Sequence, residues 1–339
     1  MTNGMPPTES ANLPQELIPF LAEKALTCEY ASIKSNGTPI TAPLVPFLGD
    51  SGQTIDVATG LAYPSKAERA RRNPKVSLFY GEPKASLARN APAILVFGDA
   101  TVYDADLQAN LDRFIRLNSV KSKAFAAQPA FLFRWLSGYL ARIWISVTPL
   151  KILWWPGGNF SMQPQQWLAP AGTQAPPSDP PPRSLSQPHK PIVAPPADWG
   201  KELDQAIENM GPPTLTVVGD DGYPAQVKVR VASRQADGLE LALPDSLPAP
   251  AIGRACLNFY TLQVKNDEMA ANETVSFIGD VSGGNDRALF RVERQLPNLQ
   301  IRGGLLGMLL NVMEMRSFGK RAEIEAARRG QSAPKALAP

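Results

Sequence analysis

Histidine is all but missing from this chain: of 339 residues only His189 is one, and it stands among prolines. That scarcity removes Ser-His-Asp and Cys-His nucleophilic catalysis, His-rich zinc sites and most His-ligated haem sites. Cysteine is nearly as rare. Cys28 and Cys256 are too few for a disulfide framework and too far apart for metal-ligand spacing, so no metal is expected and a reducing compartment is the simpler reading. An excess of charge is also lacking, since 34 basic against 31 acidic residues leave +3, too little to argue for nucleic acid or an anionic membrane. Long apolar runs are absent too. Arg134, Arg142 and Lys151 interrupt the stretch from Phe131 to Trp155, and Leu305 to Met315 is too short to cross a bilayer. Residues 1–12 carry no basic stretch followed by an apolar run, so the cytoplasm is expected, with a small molecule rather than nucleic acid or membrane as partner.

What the chain has in quantity is proline, 34 residues of it, packed most densely between Ala169 and Pro196. With almost no apolar periodicity, that stretch reads as an extended linker. A chain of this length exceeds the roughly 250 residues at which single cores stop growing, so two domains are expected. Before the linker come a helix near Pro14 to Leu26, two strands joined at Ser35-Asn36-Gly37, a third strand near Thr54 to Thr59, and a helix Ser65 to Arg72 closed by Asn73-Pro74. Strands Val76 to Tyr80 and Pro92 to Asp104 follow, then helices near Ala105 to Leu117 and Phe131 to Leu140, then a strand from Arg142.

After the linker the same order recurs more weakly. A helix near Trp199 to Met210 precedes Thr214 to Val218, a turn at Gly219 to Gly222 and a strand from Ala225 to Ala232, matching the first hairpin. Gly238 to Pro244 mirrors the third strand, Ala251 to Leu262 the short helix and fourth strand, and Gly279-Asp280 mirrors Gly98-Asp99. Both Gly-Asp pairs read as a β-bulge shared by the two copies rather than as catalytic carboxylates.

One segment points to a ligand. Between Asp56 and Tyr80, a strand ending in Thr59-Gly60 feeds a helix opening at Ser65-Lys66, which aims hydroxyls, free backbone amides and an ammonium at one place, as a phosphate site does. The alternative is an N-cap serine beside a solvated lysine. Lys66 conflicts with the positive end of its own helix unless an anion sits there, and Arg69 is the better placed of the following arginines, with Arg71-Arg72 a solvated face. The second copy has Pro248-Ala249-Pro250-Ala251 at the comparable place, so one phosphate site per chain is expected. Trp154-Trp155 either stacks on a ring or packs a strand end, and Cys28 reads as a small core residue. The stretch Leu305 to Met315 reads as an amphipathic helix docked on its own barrel, and Arg321 to Pro339 as a solvated tail.

The residues Tyr30 to Phe47, Ala58-Thr59-Gly60, Ser65 to Ser77, Phe97-Gly98-Asp99 and Ile145 to Trp155 together resemble the flavin-binding split β-barrels related to pyridoxamine 5′-phosphate oxidase, which include deazaflavin (F420)-dependent reductases. The resemblance implies an α+β, mainly β fold: two tandem six-stranded split β-barrels forming an internal pseudo-dimer, as a monomer or homo-oligomer. It implies an FMN-binding barrel at 1–165, a Pro-rich linker at 166–197, a degenerate second barrel at 198–303 and a C-terminal helix and tail at 304–339. It places Ser65 and Lys66 at the cofactor phosphate, Thr59 and Gly60 in the phosphate-side turn, and Pro43, Leu44 and Val45 beside the ring; helix geometry alone adds Arg69 to the phosphate side. FMN, or else F420, is the implied cofactor of an oxidoreductase passing hydride to or from a small organic molecule, with no catalytic side chain named. The paired arginine strand and Arg-x-His element of pyridoxamine phosphate oxidases are absent, which argues against that substrate. The rivals are a haem-binding or haem-degrading split barrel and a non-catalytic flavin-binding scaffold.

Overall fold

A computed structural model describes residues 8–9, 12–184, 198–245, 247–284, 286–297 and 318–336. His189 and the stretch Leu305 to Met315 lie outside the described residues. In the first copy the strands are β2 (Cys28–Ile33), β3 (Pro39–Leu44), β4 (Pro46–Leu48), β5 (Ile55–Gly60), β6 (Lys75–Tyr80), β7 (Ala93–Tyr103) and β8 (Arg142–Trp155). In the second they are β10 (Thr214–Val218), β11 (Pro224–Lys228), β12 (Arg230–Arg234), β13 (Gly238–Ala242), β14 (Gly253–Lys265), β15 (Glu268–Gly283) and β16 (Arg287–Gln295). Two short strands, β1 (Thr8–Glu9) and β9 (Gln165–Leu168), extend the first sheet.

The repeat holds strand by strand. Hydrogen-bonded neighbours run β3-β2-β6-β7-β8-β5-β4 in the first copy and β11-β10-β14-β15-β16-β13-β12 in the second, one antiparallel order used twice. In each, the chain leaves the end of one ladder and joins the other after one residue, Val45 between β3 and β4 and Val229 between β11 and β12. That continuity closes each sheet on itself, so the six strands expected become seven only because the switching strand counts as two halves. Both copies are split β-barrels.

Local chemistry explains the landmarks. Gly37 and Gly222 turn the two equivalent hairpins at φ +80° and +81°, backbone that a Cβ disfavours. The register slips between Phe97 and Gly98 and again between Ile278 and Gly279, so both Gly-Asp pairs are bulges, as their sequence indicated. The copies diverge after the third strand. α1 (Ser65–Arg72) fills the crossover in the first barrel, whereas the described residues of 243–252 form no helix in the second, where Pro248 and Pro250 remove donors that a helix needs. The helix expected near Pro14 to Leu26 is reduced to one wide turn at Phe20–Lys24. α2 (Leu107–Lys121), α3 (Lys123–Ala126), α4 (Ala130–Trp135) and α5 (Ser137–Leu140) form an insert between β7 and β8, and α6 (Trp199–Asn209) precedes the second barrel.

The barrels face each other through β2, β3, β6 and β7 on one side and β10, β11 and β14 on the other. Phe79, Leu95, Phe97, Leu153 and Trp155 of the first share one apolar core with Leu215, Leu257, Phe259, Phe277 and Phe290 of the second. Trp154 and Trp155 are both buried, in the first barrel's core and in this shared core, which settles them as packing residues. Cys28 is buried as well, and burial pushes its thiol up from its ordinary range.

The C-terminal segment departs from the sequence reading. Residues 318–328 form a helix, α7, docked on the first barrel, with Phe318, Ala322, Glu325 and Ala326 buried. Ala322 and Ala326, four apart on one face of α7, enter the same core as Ala67 and Ala70 of α1. Arg71, read as part of a solvated face, instead ion-pairs with buried Asp104 at 2.7 Å, and Arg329 meets the other oxygen of Asp104 at 2.8 Å. Arg72 is exposed, as expected.

Candidate functional site: an uncapped helix and three cations

β5 ends at Gly60, and the turn to α1 is tied from within. The Thr59 hydroxyl donates to the Tyr63 carbonyl at 3.3 Å, and the Tyr63 amide donates to the Gly60 carbonyl at 3.0 Å. Thr59 therefore shapes the turn rather than reaching outward. The helix begins at Pro64, which occupies the N-cap position without a side-chain cap, so Ser65 is not the N-cap. Pro64 carries no N–H, and the Glu68 amide is the first to bond back, to the Pro64 carbonyl at 2.9 Å. The amides of Ser65, Lys66 and Ala67 are thus left without a helical acceptor, at the positive end of the helix dipole. Ser65 itself is exposed.

Three cations stand around this end. Lys66 is half-buried and has no hydrogen-bond or ion-pair partner among the described residues. Burial, with Arg69 and Arg142 nearby, lowers it from its ordinary value to about 8. Arg142, the first residue of β8, is buried on the Phe114 ring at 4.0 Å and donates to the Ala141 carbonyl at 3.1 Å and to that of Tyr139. Its Nη1 lies close over Gly60, where an added Cβ would make only ordinary contact with it at 3.8 Å. Arg69 turns the other way and donates from Nε to the Ser32 hydroxyl at 2.9 Å, on the side of Tyr30 and Cys256. None of the three is paired with a carboxylate among the described residues. Such a cluster raises its own electrostatic cost, which a bound anion removes.

α7 adds a wall. Arg321 donates to the Tyr63 hydroxyl and lies 5.0 Å over its ring, while Phe318 meets the Tyr63 ring edge-on at 5.1 Å and stacks on Tyr139 at 5.7 Å. Pro43, Leu44 and Val45 lie elsewhere, at the strand switch, where β3 pairs with β2 through Glu29↔Pro43 and Cys28↔Leu44. The fold thus gathers Thr59, Gly60, Ser65 and Lys66 into one corner, with Arg69 on the adjoining inter-barrel side. Arg142, Tyr63 and Arg321 were missed. The signal for Arg142 was present, because a lone arginine opening the strand Ile-Trp-Ile-Ser-Val must have a reason to be buried; Arg321 sits in a charged helix with nothing to single it out.

The chain matches no family model and no curated protein sequence. Among solved structures it is similar to a pyridoxamine 5′-phosphate oxidase-related, FMN-binding protein from Nostoc punctiforme, at 12% identity over 39% of this chain and 74% of that one, TM-score 0.28. It is similar to an F420 reductase at 15% identity over 41% of this chain and 98% of the other, TM-score 0.30. General Stress Protein 26 from Bacillus anthracis matches at 19% identity, over 38% and 84%, TM-score 0.25. Scores this low do not fix a family, and each match covers less than half of this two-barrel chain. The strand order, repeated in full, identifies the chain as a tandem split-barrel protein, with this cation corner in its first barrel.

Proposed function

We propose that the corner at the start of α1 holds the phosphate of a flavin-type cofactor, FMN or deazaflavin F420, and that the protein is an oxidoreductase acting on a small organic molecule. The observation that carries this reading is the uncapped helix start flanked by Lys66 and Arg142, neither paired with a carboxylate among the described residues. The residues fit a phosphate: three unpaired amides supply directional donors, and Lys66 and Arg142 supply charge that needs no rearrangement on binding. Bound, the flavin brings hydride transfer. The chain's own part is to grip the phosphate, to set the ring's position through Pro43 to Val45 of the switching strand, and to keep water from the joint between barrels. The second barrel, with prolines in place of α1, offers no equivalent grip, so one cofactor per chain is expected.

The test is titration of purified full-length protein with FMN, F420 and riboflavin, followed by visible absorbance and fluorescence. FMN or F420 should be retained, and riboflavin, which lacks the phosphate, should bind more weakly by about 1.5–3 kcal/mol, the worth of hydrogen bonds to a charged group. Failure to retain either phosphorylated cofactor, or equal affinity for riboflavin and FMN, would overturn the reading.

A further inference from the structure

The whole-chain charge of +3 hides a strongly uneven distribution. From Arg113 to Ser178 there is no aspartate or glutamate, while seven basic residues fall in the same stretch. This stretch contains most of the helical insert. α4 inverts the usual helix pattern: Phe133 faces inward, and Phe131, Arg134 and Trp135, spaced three and four apart, share the outward face. Phe131 is 68% exposed and Trp135 is 42% exposed. Val120, at the end of α2, is 82% exposed.

The second barrel delivers more apolar surface to this place. The β14–β15 hairpin reaches the insert through Glu268, whose carboxylate accepts from the Ser122 hydroxyl at 2.7 Å and the Ala124 amide at 3.1 Å. α3 in turn meets α4 through the Phe125 and Phe133 rings, 5.2 Å apart. Val264 and Met269 face each other across this hairpin and are 40% and 37% exposed. Of the eight large exposed apolar side chains among the described residues, five therefore lie on one end of the molecule. Scattered exposed apolar residues need no explanation, but a cluster does. Arg116, Lys123, Arg134 and Lys265 are exposed around it; the acidic residues there are Asp112, one turn before Arg116 on α2, Asp267 at the hairpin tip, and Glu268, whose carboxylate is taken up by Ser122 and Ala124.

We propose that this end of the protein, formed by α2 to α4 and the tip of the β14–β15 hairpin, docks shallowly on an anionic lipid bilayer. Exposed Phe and Trp side chains suit the headgroup boundary, which wants an apolar body and tolerates a polar edge. The surrounding basic side chains match the negative surface potential of such a membrane, each contributing about a fivefold increase in binding. An acidic protein would satisfy the charges but gives no reason for outward Phe131 and Val120 at the most exposed positions of the cluster. Among the described residues no helix is long and apolar enough to cross a membrane, and the proposed mode is interfacial.

The experiment is cosedimentation of the full chain with phosphatidylcholine vesicles, with and without about one-third phosphatidylserine, at low salt and at about 0.5 M salt. The expected result is binding to the anionic vesicles alone, weakened by salt. Phe131→Ser combined with Val120→Ser should reduce it at least about fivefold, and Arg116→Glu, Lys123→Glu and Arg134→Glu together should abolish it. All five side chains are exposed, so unchanged thermal unfolding shows that the fold is intact. No binding, equal binding to neutral vesicles, or full binding by either variant would overturn the proposal. Retention on an immobilised acidic polypeptide without vesicle binding would also overturn it, by assigning the face to a protein partner.

Discussion

Asn258 of the second barrel donates from Nδ2 to Glu29 Oε1 of the first at 2.6 Å, although 229 positions separate them, and neither side chain reaches solvent. The Thr214 hydroxyl donates to the other oxygen at 2.7 Å, and Lys228 Nζ lies 3.8 Å from it. Glu29→Ala strands these donors in a closed joint. It should cost about 1–3 kcal/mol for each donor left unsatisfied, and Glu29→Gln should cost less because its carbonyl still accepts. Urea unfolding reads the difference, and equal midpoints for Ala and Gln would show that the carboxylate contributes nothing specific.

The grip on a phosphate should depend on pH through Lys66. Its ammonium titrates at about 8 in the free protein. A bound anion favours the charged form, so affinity is full below that value and declines as pH rises through and above it. Phosphate or FMN binding measured near neutrality and about two units higher should show the decline, and Lys66→Arg should flatten it because guanidinium stays charged. Lys66→Ala should lose about 1.5–3 kcal/mol of affinity at neutral pH without altering thermal unfolding. A wild-type affinity that is level across this range would mean that Lys66 does not touch the anion.

The two bulge glycines are closed to any side chain. A Cβ on Gly279 would stand 1.9 Å from the Arg291 carbonyl oxygen, and one on Gly98 would stand 2.4 Å from that of Thr148. Both obstacles are backbone and cannot swing aside. Gly279→Ala and Gly98→Ala should each destabilise by about 1–3 kcal/mol, the cost of overpacking, with Gly279 the worse. Chemical denaturation checks the order.

Gly138 lies under α7, where an added Cβ would come 2.5 Å from Gly319 Cα. Gly138→Ala should lift the start of α7 and open residues 318–336 to limited proteolysis, while the barrels stay resistant. An unchanged digestion pattern would mean that the contact relaxes without releasing the helix.

Much of this architecture was legible from local signals. Asn73-Pro74 ended α1 where the structure ends it, Asn36-Gly37 marked a hairpin, and the matched Gly-Asp pairs marked two bulges, because each depends on backbone constraints within a few residues. What stayed hidden depends on distant partners. Ala322 and Ala326 look like filler in a charged tail until the fold buries them in the first barrel's core. Arg71 looks solvated until Asp104 arrives from the end of β7. The site divides in the same way: Thr59 to Lys66 form a contiguous turn and were readable together, whereas Arg142 and Arg321 reach it across the fold.

The core shared by Phe97, Trp155, Leu257 and Phe277 makes the two barrels one thermodynamic unit. Neither half can unfold without baring its partner's apolar face. A chain nicked between the barrels, at 185–197, should therefore elute as a single non-covalent complex and melt in one transition, its halves behaving as subunits that have lost only their tether.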